Sequence, residues 1–209
     1  MVKKSMAGPD VTFWQERFLR DETPWDRRVA SPQLAAWLDR AALQPCRILV
    51  PGCGSGHEVR LLAERGFDVT AIDYAQAAIE RTRDRLASAS LKAEVIQADA
   101  LAWLPTQPFD AIYEQTCLCA IHPDQWVAYA AQLHTWLRPG GNLYALFAQV
   151  SRPNAANGKI EGPPYHCDIH AMRALFPEPR WHWPKPPYDR VDHPFIGGMF
   201  ELAVVLERR

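Results

Sequence analysis

Arg47-Ile48-Leu49-Val50-Pro51-Gly52-Cys53-Gly54-Ser55-Gly56 joins a short, β-branched apolar run to a glycine-rich turn. A helical stretch, Glu58 to Arg65, follows it and stops at Gly66, a residue suited to the position just past a helix. The texture then repeats: a strand from Val69 to Ile72 ending on Asp73, a helix from Ala75 to Ala87, and a strand from Ala93 to Gln97 before Asp99. A fourth strand spans Phe109 to Tyr113, and a helix beginning at Asp124 carries Trp126, Leu133 and Leu137 on one face. Pro139-Gly140-Gly141 ends that helix, Asn142 to Gln149 reads as a fifth strand, and Met199 to Glu207 as the last. Strands alternating with helices in this way predict an α/β fold, doubly wound on a mostly parallel sheet. In such sheets ligands bind beyond the carboxyl ends of the strands. Gly52, Asp73, Asp99 and Glu114-Gln115 all fall there.

Upstream, residues 13–20 read as a short helix that ends before the loop Asp21-Glu22-Thr23-Pro24. Ser31-Pro32 opens a helix to about Ala42, with proline at its first position. Downstream, nine of the 18 prolines lie between Pro153 and Pro194, among several aromatic residues. That stretch cannot be a long helix, and its aromatics favour an ordered cover over disorder.

The 209 residues suit one domain, 1–209, with a helical cover at 13–45 and a proline-rich insertion at 151–198. Lys plus Arg number 23 and Asp plus Glu 24, a net charge of −1 that argues against a grip on nucleic acid. No apolar run is long enough to span a membrane, and Met1 to Asp10 show no apolar signal core. Five cysteines, an odd number, suggest reduced thiols and a cytoplasmic setting. No heptad pattern demands association, so a monomer or weak homodimer is expected.

The turn has the spacing G-x-G-x-G. A dinucleotide fingerprint from Gly52 needs glycine at position 57, where His57 stands, and no Gly-Lys-Ser/Thr of a phosphate-binding loop exists. Asp73, 21 positions after Gly52, is placed to accept the two hydroxyls of a ribose, and Asp99 to accept from an adenine amino group. A metal site is disfavoured: Cys117-x-Cys119 has one-residue spacing, and His166-Cys167-x-x-His170 does not pair with it in a usual zinc pattern.

These features together resemble a class I S-adenosylmethionine-dependent methyltransferase. Phe13-Trp14-Gln15 through Phe18, Thr23-Pro24-Trp25-Asp26, Leu49 to Gly54, Phe109 to Tyr113, Cys119-Ala120-Ile121 and Gly162-Pro163-Pro164-Tyr165 resemble the thiopurine methyltransferase-like family, with its thiol/halide branch. The resemblance implies the Rossmann-like methyltransferase fold, a seven-stranded sheet with its last strand antiparallel. It also implies S-adenosylmethionine as cofactor, S-adenosylhomocysteine as product, and a small-molecule methyl acceptor. Trp14, Phe18 and Trp25 would cover the cofactor, Gly52, Gly54 and Gly56 would approach its methionine part, Asp73 and Tyr74 its ribose side, and Asp99-Ala100 its adenine. Glu114 would face the methyl group. Gln115, Cys119 and Tyr165 are the candidate acceptor contacts.

The chain departs from its relatives at Glu114-Gln115, where the thiopurine branch has Asp-Arg and the plant branch Asp-Tyr. Pro51-Gly52-Cys53-Gly54 is nearer the thiol/halide branch, which favours a thiol, hydrosulfide or halide acceptor over a thiopurine. A non-catalytic S-adenosylmethionine-binding protein is the other alternative. Displacement at a sulfonium methyl needs alignment more than acid–base help. No side chain is compelled to be a base; His122, His166 and Glu114 are the candidates.

Overall fold

The computed structural model describes residues 8–154 and 157–209. Residues 1–7, part of the Met1 to Asp10 stretch read for a signal core, lie outside the described residues, as do 155 and 156 of the proline-rich stretch. The central strand is β1, Arg47–Pro51. Around it lie β2 (Asp68–Asp73), β3 (Glu94–Gln97), β4 (Phe109–Gln115), β5 (Leu137–Gln149), β6 (Trp181–His182), β7 (Asp189–Asp192) and β8 (Phe200–Arg208). They form one sheet in the order β3-β2-β1-β4-β5-β8-β6, with β7 also paired to β8. β1 to β5 are mutually parallel and β8 runs antiparallel to β5. This is the expected sheet with one strand more, because two short strands from the proline-rich stretch, β6 and β7, share an edge of β8.

A parallel sheet covered on both faces needs strands that are apolar on both sides. In β1, Leu49 joins the core beneath one face, with Ile72, Ile112, Tyr129, Leu133 and Trp136. Its neighbours Ile48 and Val50 point the other way, to Leu34, Trp37, Val59, Leu62 and Ile79. The first layer is covered by α5 (Trp126–Trp136), entered through two 3-10 turns, Leu118–Ala120 and Pro123–Gln125. The second is covered by α2 (Pro32–Asp39), α3 (His57–Glu64) and α4 (Gln76–Ser88). After Leu137 pairs with Phe109, the backbone loops out at Pro139-Gly140-Gly141 and pairing resumes at Asn142 opposite Ala111.

The helix at the N-terminus, α1 (Val11–Leu19), is capped by Asp10, whose Oδ1 accepts from the Phe13 N–H at 3.0 Å. α4 lacks a capping side chain of its own at Ala75. Gln15 of α1 supplies the acceptor instead, its Oε1 taking the Ala77 N–H at 3.0 Å. This bond, and Arg81 donating to Asp21 at 2.9 Å, dock α1 against α4. In the proline-rich stretch, Met172 of α6 (Ile169–Leu175) with Phe176, Trp181 and Trp183 packs into the same core as Leu49 and Trp136.

Candidate active site

A cavity of about 400 Å³ opens at the carboxyl ends of β1 to β4. Its floor is the glycine turn and the chain just past β2, β3 and β4; its roof is α1 with Pro24 and Trp25. The turn bends as it does because Gly52 and Gly54 hold φ of +62° and +53°, a region costly for other residues. A side chain on Gly52 would also strike Cys117 Cβ at 2.8 Å.

Asp73 closes β2 beneath the turn. Its Oδ2 accepts from the Gly54 N–H and its Oδ1 from the Ala75 N–H, both at 2.9 Å. Burial pushes its carboxyl above the ordinary aspartate range, and the backbone N–H groups partly pull it back. Each oxygen keeps a further lone pair for a ligand hydroxyl. Asp99, after β3, spends Oδ1 on the Leu101 N–H at 2.8 Å.

Over this floor the aromatic residues meet edge to face. Trp14 and Trp25 lie with ring centroids 5.3 Å apart, and Phe18 and Trp25 5.8 Å apart. Phe18 reaches down to the turn, where a Cβ on Gly54 would stand 3.7 Å from its ring. Trp25 is fixed from the far side by His193. The His193 Nδ1 accepts from the Phe195 and Ile196 N–H groups at 3.2 and 3.0 Å, which places its proton on Nε2, 3.2 Å from the Trp25 carbonyl.

The cavity thus gathers Trp14, Phe18, Trp25, Gly52, Gly54, Asp73, Tyr74, Asp99, Ala100 and Cys119 from the residues singled out in the sequence. Four others lie off its wall. Gly56 sits at φ +73° before α3, where a Cβ would lie 2.9 Å from Thr82 Cα, so close packing of α3 on α4 accounts for it. Glu114 turns into the core, accepting the Leu118 N–H at 2.6 Å, and burial pushes its carboxyl up to about 7. Gln115 donates to Glu201 Oε2 at 2.8 Å and accepts from the Tyr113 hydroxyl at 2.7 Å. Tyr165 is buried against His122, its N–H donating to the Cys119 carbonyl at 2.7 Å.

The wall also contains residues that were not among the candidate contacts. Arg17 and Phe13 share α1's inner face with Trp14 and Phe18, at a spacing that helical periodicity makes visible. Ile196 and Met199 come from the loop before β8, where no period marks them. Pro163 and Pro164 bring the proline-rich stretch to the same end. There the wall is largely apolar and includes the buried Cys117 and Cys119, whose thiols burial raises well above the ordinary range. No group of three or more His, Cys, Asp or Glu among the described residues is arranged to hold a metal.

A polar chamber of about 60 Å³ adjoins the cavity and shares Trp25, Gly52, Gly54 and Thr116 with it. Asp26, Arg27, Ser55, His57 and Gln115 line it. Arg27 pairs with Glu201 at 2.9 Å, both side chains buried, and Glu201 is held up at about 7 by burial against the pull of that charge. Arg27 Nε is buried without a hydrogen-bond partner. An orphaned donor beside an open chamber fits a charged, hydrogen-bonding end of a ligand.

Known proteins are similar to this chain in sequence and in fold. A family model described as thiopurine S-methyltransferase matches residues 9–185. Thiocyanate methyltransferase 1 of Arabidopsis thaliana is 32% identical over 165 residues, 78% of this chain and 70% of the relative. The probable thiol methyltransferase 2 of the same plant is 28% identical over 158 residues, 75% of this chain and 67% of that one. Among solved structures, the 1,6-didemethyltoxoflavin-N1-methyltransferase of Burkholderia thailandensis, with bound S-adenosylhomocysteine, superposes with a TM-score of 0.74 at 18% identity. That match covers 94% of this chain and 86% of the other. The family match takes in both the aromatic roof and the strands β1 to β5 beneath it, and by it the chain belongs to the thiopurine S-methyltransferase family.

Proposed function

We propose that this protein, an S-adenosylmethionine-dependent methyltransferase by family, methylates a small soft nucleophile: a thiol, hydrosulfide or halide. The observation that carries this reading is the contrast between the two ends of the cavity. The floor offers carboxylates and backbone donors, whereas the end formed by Cys117, Cys119, Ile121, Pro163, Pro164 and Met199 offers mainly apolar, polarisable surface beside Thr116, His122 and Gln125. Such a wall suits a soft acceptor that loses its water on entry.

The residues fit the donor. Asp73 would hold the ribose hydroxyls and Asp99 the adenine amino group. The chamber with the unpartnered Arg27 Nε would take the charged amino-acid end. Trp14, Phe18 and Trp25 would face the positive sulfonium, which aromatic rings attract. S-adenosylmethionine, when bound, supplies an already activated methyl group. What remains for the protein is to align the acceptor, exclude water and stabilise its charge.

Competition tests this reading. With hydrosulfide and 6-mercaptopurine at equal concentration, methanethiol is expected as the main product. Methylated thiopurine as the main product would overturn it in favour of the thiopurine reading.

A further inference from the structure

The proposed acceptor is reactive only as an anion, and an apolar pocket charges heavily for an unpaired one. If Asp73, Asp99 and the polar chamber serve the donor, the acceptor end must supply its own anion recognition. His122 stands there, on the loop between the two 3-10 turns that follow β4. Its ring is held on three sides. Tyr165 packs against it edge-on with centroids 5.4 Å apart, and Gly8 lies so close that a Cβ there would meet His122 Cβ at 2.7 Å. On the third side the Asp124 N–H donates to Nδ1 at 3.3 Å.

That last bond decides the chemistry. With Nδ1 accepting, the neutral imidazole carries its proton on Nε2, so it presents a donor and not a base. No acceptor among the described residues takes that proton. Asp124 Oδ2 also lies 3.5 Å from Nδ1. Arg17, its guanidinium resting 4.5 Å above the Phe13 ring, adds positive charge to the same cavity wall.

We propose that His122 is the acceptor-recognition residue, donating a hydrogen bond from Nε2 to the methyl acceptor in its anionic form, a thiolate, hydrosulfide or halide. The proposal rests on the methyltransferase reading above. The acceptor's electron pair forms the new bond to the methyl carbon, the old carbon–sulfur pair stays on the departing thioether, and no proton moves in the transfer itself.

The test compares His122→Phe, which keeps a ring of similar bulk, and His122→Gln, which keeps an N–H donor, with iodide and hydrosulfide as acceptors. Iodide carries no proton, so a base has nothing to do for it. His122→Phe is expected to lower kcat/KM about 10- to 100-fold for both acceptors, and His122→Gln to restore most of it. The calorimetric affinity for S-adenosylhomocysteine should stay within about threefold for both variants. Unchanged iodide turnover in His122→Phe would overturn the proposal. Loss confined to hydrosulfide would do so too, by making His122 a base, and an equal loss of S-adenosylhomocysteine affinity would make its role structural. Wild-type protein that binds S-adenosylhomocysteine yet methylates neither acceptor would overturn the acceptor class itself, a result separable from any behaviour of the variants.

Discussion

Asp26 Oδ1 lies 3.1 Å from His57 Nε2, with the two side chains 7% and 12% exposed, and this contact ties the segment after Trp25 to the first residue of α3. Roof and floor of the cavity are thereby fastened at one corner. Burial works to raise the Asp26 carboxyl, but hydrogen bonds from His57 and Ser55 and from the Arg28 N–H at 2.7 Å more than offset this, leaving it well below the usual range.

The first prediction concerns that corner. A carboxylate held below its ordinary value stabilises the fold above pH 3.8, and the contribution is lost as pH falls further toward its folded value. Asp26→Asn should therefore cost about 2–4 kcal/mol at pH 7, as expected when one partner of a buried pair is neutralised. Urea unfolding at pH 7 and at pH 3 checks this: the gap between variant and wild type should narrow at the lower pH.

Glu114 gives the opposite sign. In the folded protein it keeps its proton up to about 7, against 4.5 ordinarily, because burial penalises the charge. The folded state binds more protons than the unfolded chain between those values, so stability falls as pH rises through that window. Glu114→Gln retains an oxygen for the Leu118 N–H and removes the charge. It should be more stable than wild type by about 3 kcal/mol at pH 8 and equal to it near pH 4. A denaturation series from pH 4 to 8 reads the difference.

Gly56 should act on stability and not on cofactor affinity. Gly56→Ala forces a Cβ to within 2.6 Å of Thr82 Oγ1 at φ +73°, and should cost about 2–4 kcal/mol of stability. Below its melting temperature the variant should still bind S-adenosylhomocysteine within about threefold of wild type, since Gly56 is not on the cavity wall. Thermal melts and calorimetry separate the two quantities.

The aromatic roof should act on affinity instead. Trp14 is half-buried, packed on Trp25 and part of the wall. Trp14→Ala should weaken S-adenosylhomocysteine about 10- to 50-fold and Trp14→Phe about threefold or less, with small changes in the urea midpoint. Tryptophan fluorescence during titration provides the readout.

These residues also show where sequence reasoning works. β1 was legible because a buried parallel strand needs an unbroken apolar run, and Ile48-Leu49-Val50 carries its own turn after it; β5 was legible only from Asn142, since Leu137, expected on the helix, already pairs with Phe109. β6 and β7 were not, since Trp181-His182 and Asp189–Asp192 become strands only by pairing with β8. Asp73 and Asp99 were legible as strand-end acids. Glu114 was harder, because successive side chains of a strand face opposite ways and the letters do not say which way is the cavity. Gly56 was ambiguous for a related reason: glycine marks close approach, whether by a ligand or by Thr82. The Asp26–His57 contact joins residues far apart in the chain, so no local pattern announces it.

The most direct test of the account is headspace analysis of wild-type protein incubated with S-adenosylmethionine and either hydrosulfide or iodide. The account predicts methanethiol and methyl iodide at rates far above the uncatalysed reaction, each matched mole for mole by S-adenosylhomocysteine. Binding of S-adenosylhomocysteine without either volatile product would contradict it.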